Sequence, residues 1–388
     1  MGAVHNILDP RPYATSRLPA MEAETLPPWC YTARDFYELE VERIFRRVWN
    51  FIGRADHIPN PGDYFTLDLV GVPIIVVRDR AGGLRAFANS CRHRGTMLVT
   101  GEGHCTAFKC PYHSWVFGLE GELLSANEMQ ETKDFDPSRY GLIPIKLETW
   151  GGFVFVNLDP DSASLAEYLG DLPGRLAPYN MSEMVCVRRR EYDLACNWKL
   201  WIENAKESLH IATVHRKTIN RYASADTAGY EILEVGGQYL MTAAKHSGSM
   251  ALLKDDKGFP RIETLAGRAA EGTLAPLIYP CTYLGCTIDC VWYLELLPAG
   301  PGRTKLIHGA CFPRSRLERP DFPEVVENYY RRWDITSDED ILACELQQRG
   351  VTSPLSARGR FSYREALVHE IDNWVLDRLL GPLGRAHA

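Results

Sequence analysis

Cys91, His93, Cys110 and His113 are the residues of this chain best suited, by type and spacing, to do chemistry. They stand in C-R-H-R-G (91–95) and C-P-Y-H (110–113), with 18 residues between the two cysteines. A C-x-H paired with a C-x-x-H puts one thiolate and one imidazole on each of two loops. Two thiolates can hold one iron of a [2Fe–2S] cluster while two imidazoles hold the other. Imidazoles in place of two thiolates raise the reduction potential, and their second nitrogens can couple electron transfer to a proton. A Cys2His2 zinc site draws on the same ligand types. Such zinc sites pair C-x-x-C with H-x-x-x-H and keep like ligands together, whereas cysteine and histidine alternate here. Gly95 suits a tight turn beside the sulfurs, Pro111 stiffens the second loop, and Tyr112 and Trp115 are placed to shield a cluster from water.

A second constellation lies in NWKLWIENAKESLHIATVH (197–215). Apolar and small residues recur at helical intervals from Trp198 to Ala212, which predicts a helix. Glu203, Glu207 and His210 fall at i, i+4 and i+7, close to one face. His215 is five residues beyond His210, a net rotation of about 140° on an ideal helix. The two imidazoles can converge only if the helix ends or bulges near Ala212–Thr213, as a π-bulge would allow. Two histidines and a carboxylate with open positions make the facial triad of non-haem Fe(II) oxygenases. By spacing alone, the pair also reads as two ordinary, partly buried histidines.

The elements around these residues must position them. VPIIVVRD (72–79) reads as a strand, Arg80–Gly83 as a turn, and LRAFANS leads into Cys91. SWVFGLEGELLSA reads as a hairpin turning at Gly118–Gly121. DFYELEVERIFRRVW (35–49) carries an amphipathic helical stripe. Residues 160–185 are punctuated by Pro and Gly, as in a connection between domains. Short β-like segments fill 228–316, and helices are predicted around 322–349 and 364–380. Strands followed by helices in this order suggest an α+β domain.

The alternating Cys/His motif, the closing WGGFVFVNLDP (150–160), and NWK before E-x-x-H-x-x-x-x-H together resemble the large (alpha) subunit of Rieske non-haem iron oxygenases, the aromatic-ring-hydroxylating oxygenases. The resemblance covers nearly the entire chain. It implies an N-terminal arm and helix (1–45), a Rieske-type all-β cluster domain (46–160), and an α+β catalytic domain (161–388) with an antiparallel sheet flanked by helices. It implies a [2Fe–2S] Rieske cluster on Cys91, His93, Cys110 and His113, and a mononuclear non-haem Fe(II) on His210, His215 and an aspartate far along the chain. That aspartate is assigned to Asp340 in SDEDILACELQQRG (337–350), with Asp338 and Glu339 as rivals. By position alone, Ser337-x-x-Asp340 reads as a helix capping box. Glu207 occupies the place of the family's bridging aspartate, which links an iron-bound histidine to a Rieske histidine of the neighbouring subunit. The substitution resembles members that oxidise quaternary amines such as choline, betaine or carnitine. Without the resemblance, Glu207 reads as a solvated helix carboxylate. Glu203 and Asn204 are placed to orient ligands.

The resemblance further implies a homotrimer supplied with electrons by a flavin-containing reductase, in some systems through a ferredoxin. No G-x-G-x-x-G follows a strand, so NADH or NADPH would be used by that partner. The expected reaction is O2-dependent hydroxylation of a small organic molecule. An aromatic compound is the first expectation because it is the family's commonest substrate class. Quaternary amines come second, with N- or O-demethylation beside them. Tyr279, Tyr283, Trp292, Tyr293 and Phe312 are candidates for the substrate pocket. Of a different class is a Rieske electron carrier without chemistry of its own, which needs only about the first 160 residues on ordinary domain sizes. A zinc-stabilised binding protein is the other.

Composition narrows the partners. A net charge of −7 and a pI near 5.9 argue against nucleic acid. No apolar run reaches the roughly 18 residues of a membrane span, and the first residues lack the pattern of a signal peptide or a myristoylation site. Without a signal peptide, the glycosylation sequon at Asn180-Met-Ser182 carries no weight. The 11 cysteines are scattered and contain no C-x-x-C, which fits a reducing cytoplasm. Cys281, Cys286, Cys290 and Cys311 are expected as reduced core residues. Arg188–Arg190 is read as a solvated strand edge, or a docking point for an acidic electron donor.

Overall fold

The computed structural model describes residues 6–219, 231–234 and 237–381. The first residues, which are read for a signal peptide or a myristoylation site, the last residues of the 161–388 domain and part of the β-like stretch 228–316 lie outside the described residues. The chain divides into two units, Arg47–Leu165 and the residues on either side of it.

The first unit is β-rich. Its strands are β1 (Asn50–Arg54), β2 (Asp63–Leu69), β3 (Val72–Arg78), β4 (Leu84–Ala88), β5 (Glu102–His104), β6 (Phe108–Lys109), β7 (Val116–Phe117), β8 (Leu123–Ser125), β9 (Pro144–Trp150) and β10 (Phe153–Asn157). One antiparallel sheet runs β1-β10-β9-β4-β3-β2-β5, and β6-β7-β8 form a smaller one. Ile74, Ile75, Val76 and Val77 of β3 are all buried, so both faces of this strand are covered. That explains a continuous apolar run where a half-exposed strand would alternate.

The second unit holds the remaining elements. The helix α1 (Arg34–Glu40) continues as a π-helical turn to Phe45, short of the predicted end at 49. Two short helices, α2 (Leu165–Leu169) and α3 (Leu172–Leu176), stand at its second entry. A seven-stranded antiparallel sheet follows in the order β11-β17-β16-β15-β14-β13-β12. Its strands are β11 (Met184–Leu194), β12 (Glu231–Glu234), β13 (Tyr239–Lys245), β14 (Gly272–Ile278), β15 (Thr282–Cys286), β16 (Val291–Gly300) and β17 (Arg303–Pro313). The helices are α4 (Trp198–Asn204), α5 (Arg314–Leu317), α6 (Phe322–Val351) and α7 (Ala366–Leu380). No helix among the described residues is long and apolar enough to cross a membrane.

The N-terminal arm belongs to this second unit. Lys199 on α4 pairs with Glu40 on α1 at 2.6 Å, both fully buried, and Trp198 Nε1 donates to Glu40 at 3.2 Å. Asn197 caps α4, its side chain accepting from the Lys199 backbone N–H. The N-W-K motif therefore starts α4 and ties it to the arm. Arg188–Arg190 lie on the edge strand β11, but their charges are engaged: Arg188 and Arg190 pair with Asp334 on α6, and Arg189 with Glu191. Cys281, Cys286, Cys290 and Cys311 are buried and reduced.

Candidate metal centres and the cavity beside them

Two loops of the first unit carry the Cys/His motif. Cys91 opens the loop after β4, and Cys110–Trp115 joins β6 to β7. The loops close in the same way. The Gly95 N–H donates to Cys91 O at 2.9 Å, and the Ser114 N–H to Cys110 O at 3.1 Å. Both donors have positive φ, +80° at Gly95 and +61° at Ser114. Glycine takes that conformation without strain, whereas serine does so against its Cβ. The Ser114 turn carried no sequence signal.

This geometry brings the four candidate ligands together. Cys91 and Cys110 are buried over an apolar cluster that includes Ile75, Phe87, Phe108 and Phe117. The Cys91 thiol is pushed up by burial, with the Cys110 thiol beside it acting in the same direction. His93 Nδ1 and His113 Nδ1 face each other at 3.2 Å. Two imidazole nitrogens turned toward one point, above two reduced thiols, fit a cluster held by Nδ1 and Sγ donors. Trp115 is buried and stacks on His93 at 4.9 Å and 13°. Tyr112 differs from expectation: it lies against the His113 ring at 3.8 Å but is 57% exposed, so it edges the loop and does not seal it.

In the second unit, α4 stops at Asn204, well before the predicted end at Ala212. A separate 3-10 turn spans His210–Ala212. The Glu207 carboxylate accounts for the break. It accepts from the Leu209 and His210 backbone N–H groups, which are donors at the start of a new turn with no intrahelical partner. The spacing problem between His210 and His215 is thus resolved by ending the helix early, without a π-bulge.

Asp340 sits in the middle of α6, which runs unbroken from Phe322 to Val351. The capping-box reading of Ser337-x-x-Asp340 is therefore wrong, because no helix begins there. One ligand atom from each of His210, His215 and Asp340 lies within 4.8 Å of the others. His215 Nε2 is 3.0 Å and His210 Nε2 3.7 Å from Asp340 Oδ1. Donor atoms at right angles around a metal, with bonds of about 2.1 Å, stand about 3 Å apart, so this set fits one face of an octahedral ion.

Each imidazole is aimed by a carboxylate on its other nitrogen. Glu207 Oε1 is 2.5 Å from His210 Nδ1, and Glu339 Oε2 is 2.7 Å from His215 Nδ1. A carboxylate on Nδ1 leaves Nε2 for the metal. Glu339, a rival for the third ligand position, takes this orienting role and also accepts from Thr218. Asp338 is exposed. Asn204 Nδ2 donates to Asp340 Oδ1 at 3.0 Å, so it holds the carboxylate of the candidate ligand Asp340. Glu203 does not. It accepts from Tyr31 OH at 3.0 Å in a buried network, where burial raises its pKa to about 7.

Asp340→Asn tests the triad. Asparagine and aspartate have similar helix propensities, so α6 should persist. A neutral amide is a poorer ligand than a carboxylate, and iron affinity should fall by more than about tenfold, the lower range for loss of an outer-sphere partner. Metal analysis after dialysis reads this directly. Full iron occupancy with normal turnover would remove Asp340 from the ligand set.

A cavity opens beside the three candidate ligands. Its wall includes Trp201 from α4, Tyr283 from β15, Trp292 and Leu294 from β16, His308 from β17, and Arg332, Thr336 and Ser337 from α6. Of the five aromatic pocket candidates, Tyr283 and Trp292 line it, 5.2 Å apart. Tyr279, Tyr293 and Phe312 are buried elsewhere. Strand alternation sends Tyr293 to the opposite face from Trp292, and Phe312 joins a cluster with Tyr329 and Trp333. His308 and Arg332 had no sequence signal; only the packing of α6 against the sheet brings them to the cavity.

Similarity to known proteins covers most of both units. Residues 48–136 match the Rieske [2Fe-2S] domain, and residues 181–381 match the ring hydroxylating alpha subunit (catalytic domain). The chloroplastic choline monooxygenase of Spinacia oleracea is 30% identical over 369 residues, covering 94% of this chain and 80% of that protein. The glycine betaine monooxygenase oxygenase subunit of Chromohalobacter salexigens is 30% identical over 392 residues, covering 92% and 86%. A solved quaternary ammonium Rieske monooxygenase in complex with L-carnitine superposes with a TM-score of 0.77 at 23% identity, covering 94% and 97%. Naphthalene 1,2-dioxygenase from Rhodococcus gives 0.77 at 19% identity, covering 93% and 95%.

Proposed function

This chain belongs to the family of Rieske oxygenase alpha subunits, and we propose that within it the protein is a monooxygenase acting on a quaternary ammonium compound. It is a terminal oxygenase with a Rieske [2Fe–2S] cluster and a mononuclear iron. The observation that carries the finer reading is the cavity wall beside His210, His215 and Asp340. Tyr283 and Trp292 line that wall, and each ring already draws a cationic side chain of this chain, Lys206 at 4.7 Å from Tyr283 and Arg332 at 5.9 Å from Trp292, as a ring quadrupole attracts a cation. The choline and glycine betaine monooxygenases among its relatives support the same substrate class.

The first expectation, an aromatic substrate, is less well supported. The naphthalene dioxygenase likeness is one of fold. The wall also contains the guanidinium of Arg332 and the imidazole of His308, and an apolar ring placed against them would bury polar groups without replacing their hydrogen bonds.

When bound, the cluster supplies single electrons, and the iron supplies the site at which O2 is reduced beside substrate. The residues do the rest. Cys91, His93, Cys110 and His113 hold the cluster, and Trp115 keeps water from one imidazole face. Glu207 and Glu339 keep the Nε2 atoms of His210 and His215 aimed inward, while Asn204 fixes Asp340. Glu207, bonded to His210 Nδ1, is also the group proposed to meet a Rieske histidine of a neighbouring subunit in a homotrimer. Inter-subunit electron transfer is described for a quaternary ammonium Rieske monooxygenase of the same fold. A flavin-containing reductase, with or without a ferredoxin, completes the proposed system.

The test is a panel of quaternary ammonium and aromatic compounds with a surrogate reductase. Substrate-dependent NADH and O2 consumption is expected with glycine betaine, carnitine or choline. Coupled turnover of naphthalene or indole alone would return the reading to an aromatic substrate.

A further inference from the structure

The cavity beside the candidate ligands has a larger neighbour. A second cavity of about 470 Å³, against about 120 Å³ for the first, adjoins it within the same unit. Ile219, Met250 and Arg332 line both, so these three side chains stand where the two meet. The outer cavity is walled mainly by residues 246–256, between β13 and β14. Ser247, Gly248, Lys254 and Asp255 of its lining are exposed. One end therefore faces water, and the other faces the wall of the inner cavity.

The three residues at this neck differ in how far they can yield. The Arg332 guanidinium is engaged, with Nη1 donating to Thr336 Oγ1 at 3.3 Å and its carbon 5.9 Å from the Trp292 ring centre. Met250 and Ile219 are half-buried and apolar, so they turn without breaking a hydrogen bond. Methionine is unbranched and flexible, and adapts to what it packs against. Its backbone is held more firmly. Ser249 Oγ donates to Asp289 Oδ1 at 2.8 Å and accepts from the Ala251 N–H at 3.1 Å. Asp289 is buried, and also accepts from Thr287 Oγ1 at 2.9 Å and Tyr329 OH at 2.5 Å. Tyr329 OH in turn accepts from the Phe259 N–H at 2.7 Å. The loop is thus pinned just before Met250 and again at Phe259. Another cavity meets the inner one at Ala205, Glu207 and Tyr283. Passage on that side meets groups already bonded: Glu207 to His210 Nδ1, and the Lys206 ammonium to Ala275 O at 2.6 Å beside the Tyr283 ring. Opening it would break charge-assisted hydrogen bonds, whereas Met250 and Ile219 need only change rotamer.

We propose that substrate reaches His210, His215 and Asp340 through the outer cavity and past Met250, which sets the size of the molecule admitted, while the Ser249–Asp289 hydrogen bond holds Met250 in the neck. Met250 is then a specificity-determining residue, and Asp289 a positioning residue that acts through Ser249. The test compounds rest on the quaternary ammonium reading above, but the route does not depend on the substrate class.

The experiment is single-turnover oxidation of the reduced cluster in the holoenzyme, with glycine betaine or the longer γ-butyrobetaine either preloaded or mixed in together with O2. Met250→Trp fills the neck. With substrate mixed in, it should be slower than the wild type by at least about tenfold, within the range for overpacking a fitted site. The difference should vanish when substrate is preloaded, because the neck acts on entry. Met250→Ala widens the neck and should raise kcat/KM for γ-butyrobetaine relative to glycine betaine by about tenfold, the lower range for a methylene in an apolar passage. Ser249→Ala removes the hydrogen bond to Asp289 and should raise the same ratio by less. The visible cluster band and the iron content report whether each variant is folded. If Met250→Trp does not fold, Met250→Ala decides. A Met250→Trp enzyme that takes up substrate at the wild-type rate, or is slowed equally under both mixing orders, overturns the route. An unchanged ratio in Met250→Ala overturns the size selection, and an unchanged ratio in Ser249→Ala overturns the positioning role of Asp289. If only naphthalene or indole turns over, the proposed function fails, and the same mixing-order comparison with that compound decides the route. Turnover of neither class overturns both.

Discussion

His113→Ala is expected to erase the visible spectrum of the Rieske cluster and to abolish turnover. His93 Nδ1 and His113 Nδ1 are turned toward one point, 3.2 Å apart. Removing one imidazole takes away half the protein donors of one iron. The fold of the first unit should survive, because the core beneath the cluster is built from Ile75, Phe87, Phe108 and Phe117, not from His113, which is only half-buried. Iron at the second site should persist, since His210, His215 and Asp340 lie in the other unit. Acid-labile sulfide, iron content and the absorption spectrum measure this together. A variant that kept both the spectrum and full turnover would show that the cluster is held elsewhere.

Glu207→Gln should leave both metal centres occupied while slowing turnover by at least about 100-fold, the upper range for loss of an outer-sphere partner. The carboxylate serves His210 Nδ1 with one oxygen and the Leu209 and His210 backbone N–H groups with the other. Glutamine has a single acceptor oxygen. It can keep the backbone turn or the imidazole bond, but not both. The amide also cannot take up a proton as the cluster changes oxidation state, which is the role proposed for Glu207 between the two imidazoles. Single-turnover oxidation of the reduced cluster, followed at its visible band with substrate and O2 present, isolates this step. Slow oxidation with intact iron supports the bridge. Wild-type kinetics would leave Glu207 as the residue that caps the His210 turn and nothing more.

Much of the candidate site was legible because metal chemistry admits few residue types. The alternation of Cys91, His93, Cys110 and His113 named a set of donors before any fold was known. β3 and the hairpin of β7 and β8 followed from β-branched content and paired glycines. The readings that failed did so where the hydrogen bonds of one side chain decided the backbone or its partners. The helical period from Trp198 to Ala212 is real, but the Glu207 carboxylate ends the helix early by capping the next turn. Glu203 has the spacing of an orienting residue, yet Tyr31 from the N-terminal arm draws it into a different network.

The sequence by itself determined which residues can ligate, because donor type and short loop spacing are local properties. It determined the strands and helices wherever hydrophobic period and turn chemistry agreed. Only the tertiary structure decided which acid faces the two histidines as the candidate third ligand. Asp338, Glu339 and Asp340 are adjacent and chemically alike, and successive residues on a helix point about 100° apart. The packing of α6 turned Asp340 to the two Nε2 atoms, Glu339 to the outer nitrogen of His215, and Asp338 to solvent. The same helix brought Arg332 to the cavity beside His308 of β17. Such meetings depend on how a helix face is rotated against a sheet, which is set by the summed packing of both and by no residue alone.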